Sequence, residues 1–73
     1  MSDLSIGANL KRLRTDKGMS QTELAGAVNV TQSMIAQVER GTKALTMELG
    51  KEISEVLGVS VNELLEDFSK QPV

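Results

Sequence analysis

The chain has 73 residues, of which 40% are hydrophobic, and this is enough for one small domain with a single core. It contains no cysteine and no histidine, which excludes disulfide bonds, thiolate chemistry, and the commonest general base and metal ligand. No metal and no cofactor are therefore expected, and no apolar run approaches the roughly 18 residues of a membrane span.

The net charge of −2 is unevenly distributed along the chain. Residues 1–43 carry six basic and four acidic side chains, a net +2, whereas residues 44–73 carry two basic and six acidic side chains, a net −4. Binding to nucleic acid depends on the local potential, so an acidic total does not exclude it. Ordinary solvated surface charge would produce the same asymmetry, and the charge alone leaves both interpretations open.

Five helices are predicted in chain order. The inward face of the first helix, from about residue 4 to residue 17, is marked by apolar residues at helical spacing: Ile6, Leu10 and Leu13. Gly18 can close this helix in the left-handed conformation. Ser20 and Glu23 have the spacing of a capping box, which predicts that the second helix begins at about residue 21.

The most specific pattern in the sequence lies in residues 21–40. Two short helices, at about 21–28 and 32–40, flank Asn29, a residue type that accepts a left-handed backbone. Ala25 is small enough for the two helix axes to approach closely, and Thr31 can cap the second helix. The inward residues are expected to be Leu24, Val28, Val30, Ile35 and Val38. This pattern predicts a helix-turn-helix whose second helix enters a DNA groove.

Two further helices are predicted in the acidic half. Thr46 caps a fourth helix that runs to about Leu57, and a capping box at Ser60 and Glu63 opens a fifth. Their inward residues are expected to be Leu49, Ile53, Val56, Leu57, Val61, Leu64, Leu65 and Phe68. Gly50 costs the fourth helix about 1 kcal/mol relative to alanine, which suggests a close contact there. The fold class is therefore all-α, a compact five-helix domain with its core at about 4–69 and a tail at 70–73.

The outward face of the third helix is short, polar and uncharged. It is predicted to read DNA bases through Gln32, Ser33, Ala36 and Gln37. A glutamine amide can make paired hydrogen bonds to adenine in the major groove, worth roughly 1–3 kcal/mol of discrimination, and an alanine methyl can meet a thymine methyl. A solvated polar face is the alternative interpretation, although lysine and glutamate would be more usual there.

Phosphate contacts are predicted at both ends of this motif. Backbone N–H groups at a helix start, hydroxyls, amides and cations are the groups that bind phosphate. The candidates are Gln21, Thr22, Arg40, Thr42 and Lys43.

The residues from 6 to 65 resemble the DNA-binding domains of lambdoid phage repressors and Cro proteins, also called the xenobiotic-response-element helix-turn-helix family. The resemblance rests on IGANLKRLRTDKGMSQTELAGAVNVTQSMIAQVERG and on LGVSVNELLE. It implies the lambda-repressor-like five-helix fold. The loop after Gly41 departs from the family pattern, because relatives often carry more basic residues and a proline there.

The resemblance also implies roles for particular residues. Gln21 would bind a phosphate through its amide, and the opening residues of the recognition helix would meet phosphates or base edges, as would Gln37. Those opening residues are Thr31, Gln32 and Ser33. Arg14 and Glu39 would form a buried ion pair with a structural role.

Dimerisation is expected to come from the domain itself. Relatives often append a sensor or oligomerisation domain, whereas this chain ends soon after the fifth helix, so no ligand pocket and no cleavable regulatory half are expected. Two such domains on a two-fold axis read a palindrome with half-sites about one helical turn apart. The candidate apolar contacts are Leu45, Met47, Leu65 and Phe68.

The sequence therefore predicts a transcriptional regulator that binds double-stranded DNA as a homodimer in a prokaryotic cytoplasm. A phage Cro protein or repressor, a restriction–modification controller and a mobile-element regulator all fit. A contact between the acidic half and RNA polymerase is left open, because solvated helix charge explains the same residues. The alternative is a protein-interaction module, such as an antitoxin subunit or a co-activator. No nucleophile–base pair, metal cluster or phosphate-binding glycine loop supports an enzyme.

Overall fold

The computed structural model of the chain describes residues 6–65, and this part consists of five α-helices and no strands. The helices are α1 (Ile6–Asp16), α2 (Gln21–Ala27), α3 (Gln32–Arg40), α4 (Met47–Leu57) and α5 (Val61–Leu65). The predicted all-α, five-helix fold is confirmed. The predicted start of the first helix at residue 4 and the extension of the fifth to Phe68 lie outside the described residues. No helix within residues 6–65 has the length and the apolar character needed to cross a bilayer.

The helix ends follow from local chemistry. The Ser20 hydroxyl accepts the N–H of Glu23 at 3.0 Å, and the Glu23 carboxylate accepts the N–H of Ser20 at 2.9 Å, so the first capping box is complete. At the second box only the serine half forms, with the Ser60 hydroxyl accepting the Glu63 N–H at 3.0 Å. The predicted threonine caps form at Thr31 and Thr46. The glycines predicted to end helices all have positive φ: Gly18, Gly41 and Gly58.

A single core joins all five helices. Each helix contributes one apolar side chain that is 0% exposed, and these are Leu10, Leu24, Ile35, Ile53 and Leu64. Because every helix supplies part of the centre, none can be removed without opening the core to water. The inward placement of Val30, Val56, Val61 and Leu65 is only partly realised, since all four are half-buried.

Ile6 is the inward residue that the periodicity placed wrongly. It is 38% exposed, although the spacing with Leu10 and Leu13 predicts a core position. Ile6 lines an open surface concavity with Val38 and Leu45 instead of reaching the core. Helical spacing identifies a face of a helix, but not how far along the helix that face is covered.

Among the glycines within helices of the described residues, the close contact with a neighbouring helix occurs at Gly7 and not at Gly50. A Cβ built at Gly50 would lie 3.7–4.0 Å from Leu45 and Leu64, which is ordinary van der Waals contact, so the expected close approach there is wrong. A Cβ at Gly7 would lie 2.6 Å from the carbonyl oxygen of Glu39 and would also overlap the carbonyl of Val38. At Gly7, α1 therefore crosses the backbone of α3 at a distance that only glycine allows.

Replacing Gly7 with alanine is expected to destabilise the domain by about 1–3 kcal/mol, because the added methyl meets backbone that cannot rotate away. Gly26→Ala in α2 is the matched control, since no heavy atom lies within 4 Å of a Cβ built there. That control should be neutral or stabilising by up to about 1 kcal/mol, as expected for glycine to alanine in a helix. Urea unfolding of both variants measures the difference. Equal midpoints would contradict the close approach of α1 and α3.

Asn9 is a buried polar residue that ties the first helix to the last. It is 1% exposed, and its amide nitrogen donates to the carbonyl oxygens of Glu63 at 2.8 Å and of Leu64 at 2.7 Å. The two bonds give the buried Asn9 amide the partners that a buried polar group needs, and they join residues that are 54 and 55 positions apart in the sequence.

Candidate nucleic-acid interface

A tight turn joins α2 and α3. Asn29 has φ 63° and is the one non-glycine residue with positive φ among residues 6–65. The N–H of Val30 donates to the carbonyl of Ala25 at 3.0 Å, which closes the turn. Ala25 itself is 2% exposed, so the small side chain lies inside the helix pair as predicted. These contacts hold α3 across α2 at a fixed angle.

The outward face of α3 is the surface that this turn presents. Ile35 and Val38 are 0% and 2% exposed and fix the inward side of the helix. The predicted base-reading residues fall on the other side, with Gln32 and Ser33 exposed, and Ala36 and Gln37 half-buried. The face offers two amides, a hydroxyl and a methyl group, which are the groups that read base edges in a major groove.

A buried ion pair lies beneath this face. The Arg14 guanidinium donates from Nε to Oε2 of Glu39 at 2.6 Å and from a terminal nitrogen to Oε1 at 3.1 Å. The side chains of Arg14 and Glu39 are only 8% and 3% exposed. Arg14 also donates to the carbonyl of Met19 at 2.7 Å, so the pair fixes the loop that precedes α2. The structure thus brings together the two residues that the family resemblance pairs.

Two glutamines extend this ion pair to the surface. The amide nitrogen of Gln21 donates to Oε1 of Glu39 at 2.9 Å, and the amide oxygen of Gln21 accepts the amide nitrogen of Gln32 at 2.7 Å. The four side chains Arg14, Glu39, Gln21 and Gln32 therefore form one continuous chain of hydrogen bonds. Sequence reasoning assigned Gln21 to phosphate and Gln32 to bases, and it missed the bond between them because nothing in an i, i+11 spacing indicates a contact.

The remaining candidates for phosphate contacts flank the two ends of α3. Thr22 is exposed in the first turn of α2, and the hydroxyl of Thr31 accepts the N–H of Met34 as the cap of α3. Beyond the other end, Arg40, Thr42 and Lys43 are all exposed. The Thr42 hydroxyl donates to the carbonyl of Gln37 at 3.2 Å, which orders the loop that carries Lys43.

The predicted dimer contacts have unequal surroundings. Met47 is 68% exposed at the start of α4, and Leu65 is half-buried at the end of α5. Leu45 is half-buried and packs against the core, beside Gly50. Phe68 lies outside the described residues. Within residues 6–65, no three acidic side chains converge in a way that would hold a metal ion.

A short helix, a left-handed turn and a second helix with an uncharged polar outward face define this structure as a helix-turn-helix domain. A model of the helix-turn-helix family HTH_3 matches residues 10–64. The chain belongs to this family, among its Cro- and repressor-like members.

Relatives of the chain are bacterial regulators. Control protein C.MunI of Mycoplasma sp is 30% identical over 74 residues, which cover 97% of this chain and all of that protein. The structure of the restriction-modification controller protein C.AhdI of Aeromonas hydrophila matches with a TM-score of 0.81 and 30% identity, over 86% of this chain and 96% of that one. Other relatives are longer, and the chain spans 12% of one and 47% of another.

A further structural match contains DNA. SinR, described as the master regulator for biofilm formation and known from Bacillus subtilis, has been solved in complex with DNA. That structure matches with a TM-score of 0.78 and 35% identity, over 84% of this chain and 98% of that one.

Proposed function

We propose that the chain is a transcriptional regulator that binds double-stranded DNA sequence-specifically, with α3 in the major groove. The observation that carries the proposal is the uncharged polar face of α3, whose first amide is already held in place by the hydrogen-bond chain from Arg14 to Gln32. Side chains fixed before binding lose less conformational entropy when they meet a base edge. The complex of SinR with DNA supports the same docking for this chain.

In this proposal the two sets of residues have different tasks. Gln32, Ser33, Ala36 and Gln37 meet base edges, while the phosphate contacts come from Gln21, Thr22, Thr31, Arg40, Thr42 and Lys43. Contacts to phosphate position the protein on the duplex without reading its sequence, and contacts to base edges supply the specificity. The net charge of +2 on residues 1–43, the part of the sequence that contains the helix-turn-helix, favours its approach to DNA.

The proposal includes a homodimer on a palindromic operator. A single α3 of nine residues reaches few base pairs, and two copies on a two-fold axis double the site that is read. The candidate apolar contacts with a second copy are Met47, which is 68% exposed, and Leu45 and Leu65, which are half-buried. If the protein is an activator, the surface offered to RNA polymerase would be the exposed carboxylates of Glu48, Glu52 and Glu55 on α4.

The similarity to C.MunI and C.AhdI supports a role as a controller protein.

Selection of bound duplexes from a random DNA pool tests this function. A palindromic consensus is expected. The logarithm of the binding constant should fall linearly with the logarithm of the salt concentration, because phosphate contacts release counterions. Gln32→Ala and Gln37→Ala are each expected to reduce discrimination at one base pair per half-site by roughly 1–3 kcal/mol. Their unfolding midpoints should stay close to that of the unchanged protein, because both amides lie on the outward face.

Asn62→Ala is the matched control, since it removes an exposed amide from α5, which is outside the helix-turn-helix. It should leave the consensus unchanged. Weak binding without sequence preference, with no effect of the glutamine substitutions, would instead favour the protein-interaction module. The next experiment would then be a search for the protein partner.

A further inference from the structure

The carboxylate of Glu39 accepts more hydrogen bonds than its ion pair requires. Both oxygens accept from Arg14, and Oε1 also accepts the amide nitrogen of Gln21 at 2.9 Å. The Glu39 side chain is 3% exposed, so water does not compete for this third bond. A purely structural ion pair would not need a bond that leads toward the surface.

The third bond fixes the direction of two amides in turn. An amide group can rotate by 180° and exchange its donor and acceptor ends, whereas a carboxylate only accepts. The nitrogen of Gln21 must therefore face Glu39, which leaves its oxygen facing Gln32. Because that oxygen can only accept a hydrogen bond, the group of Gln32 that faces it must be the amide nitrogen, which donates to it at 2.7 Å. The buried carboxylate of Glu39 thus sets the orientation of the exposed Gln32 amide.

We propose that Glu39 is a positioning residue for base recognition, because it determines through Gln21 which end of the Gln32 amide donates and which accepts. The inference rests on the proposed function, since it concerns α3 in a major groove. After its bond to Gln21, the Gln32 amide retains one N–H and its carbonyl oxygen. These match the N7 acceptor and the N6 amino donor of adenine. Because the amide cannot reverse, the adenine is required on one strand.

The test compares the DNA sequences selected by variants that break the chain of bonds at different points. Gln21→Met keeps the length of the side chain and leaves the buried ion pair intact, but removes the bond to Gln32. Arg14→Met/Glu39→Leu replaces both buried charges by apolar groups of similar size, a change that buried ion pairs often tolerate, and so removes the anchor without unfolding the domain. Thr22→Val is the matched control, because Thr22 is a proposed phosphate contact next to Gln21 and lies outside the chain of bonds. Circular dichroism establishes that each variant is folded.

The base pair read by Gln32 is identified as the one whose preference disappears in Gln32→Ala. The unchanged protein is expected to prefer adenine there by about tenfold to a hundredfold, the range for a paired amide contact. Gln21→Met and Arg14→Met/Glu39→Leu should both reduce that preference to within about threefold and leave the neighbouring positions unchanged, because a reversible amide accepts more than one base. Thr22→Val should weaken binding to all sequences alike.

Each outcome has a distinct meaning. If Gln21→Met or the double variant retains the adenine preference, Glu39 does not orient Gln32 and the inference is wrong, even though the protein still reads DNA. A uniform loss of affinity in both variants leads to the same conclusion, because it indicates phosphate contact or stability alone. If the unchanged protein selects no consensus, the proposed function itself fails, and that result is seen before any variant is measured.

Discussion

Replacing Glu39 with alanine is expected to lower the free energy of unfolding by about 3–5 kcal/mol, the usual cost of removing one partner of a buried ion pair. The Arg14 guanidinium is 8% exposed, so its charge would be left without a partner in a site that water barely reaches. A domain of this size has a total stability of about 4–11 kcal/mol at the usual 0.05–0.15 kcal/mol per residue. The variant should therefore be close to unfolded at physiological temperature.

Chemical denaturation monitored by circular dichroism measures this loss. Glu52→Ala removes an exposed carboxylate from α4 and should change the stability by no more than about 0.5 kcal/mol. Arg14→Met/Glu39→Leu should recover most of the stability, since no buried charge is left alone. If Glu39→Ala costs no more than the Glu52 control, the ion pair does not hold α1 to α3.

The second large effect is expected at Leu64, where alanine should cost about 2–5 kcal/mol because a buried cavity would replace the side chain. Leu64 is 0% exposed and is the fully buried apolar residue of α5. Within residues 6–65, α5 contacts α1 and α4, and Leu64 is the side chain of α5 that enters the buried core. The helix therefore depends on Leu64 and on the two bonds from Asn9 for its attachment to the domain.

Thermal unfolding should show this dependence. For a domain of this length, each kcal/mol of lost unfolding free energy lowers Tm by about 4–8 °C. Leu64→Ala should therefore lower Tm by roughly 8–40 °C. Leu65→Ala is the matched control, because Leu65 is the next residue in the same helix and only half-buried. A similar decrease in both variants would mean that the helix is held by its general contacts rather than by the one core position.

The parts of this fold that could be predicted from sequence are those with local causes. Ser20, Thr31 and Thr46 mark helix starts because the capping hydroxyl binds a backbone group only three residues away. Asn29 marks the turn for a similar reason, since few residue types accept its left-handed backbone. The five helices and the polar face of α3 follow from such signals, and the family resemblance added the pairing of Arg14 with Glu39.

The parts that could not be predicted depend on where two helices meet. Gly7 resembles any glycine near a helix start, and only the crossing of α3 shows that a side chain has no room there. Asn9 resembles a surface amide until α5 covers it. The bond between Gln21 and Gln32 joins residues on two helices whose relative angle is set by the turn at Asn29. Periodicity describes one helix at a time and contains no such information.

The bonds from Asn9 to α5 also constrain when the domain can form during synthesis. The residues that they join are 54 and 55 positions apart, so Asn9 emerges from the ribosome that many residues before its partners do. At the usual 5–20 residues per second, that interval lasts about 3–11 s, which far exceeds the time in which helices form and small domains collapse. During those seconds the side chains of Asn9 and Leu10 remain exposed to water. The isolated helix α1 has little stability of its own. The five helices therefore become one folded unit only as the last of them emerges, and a nascent chain stalled before α5 would expose most of the core to chaperones and proteases.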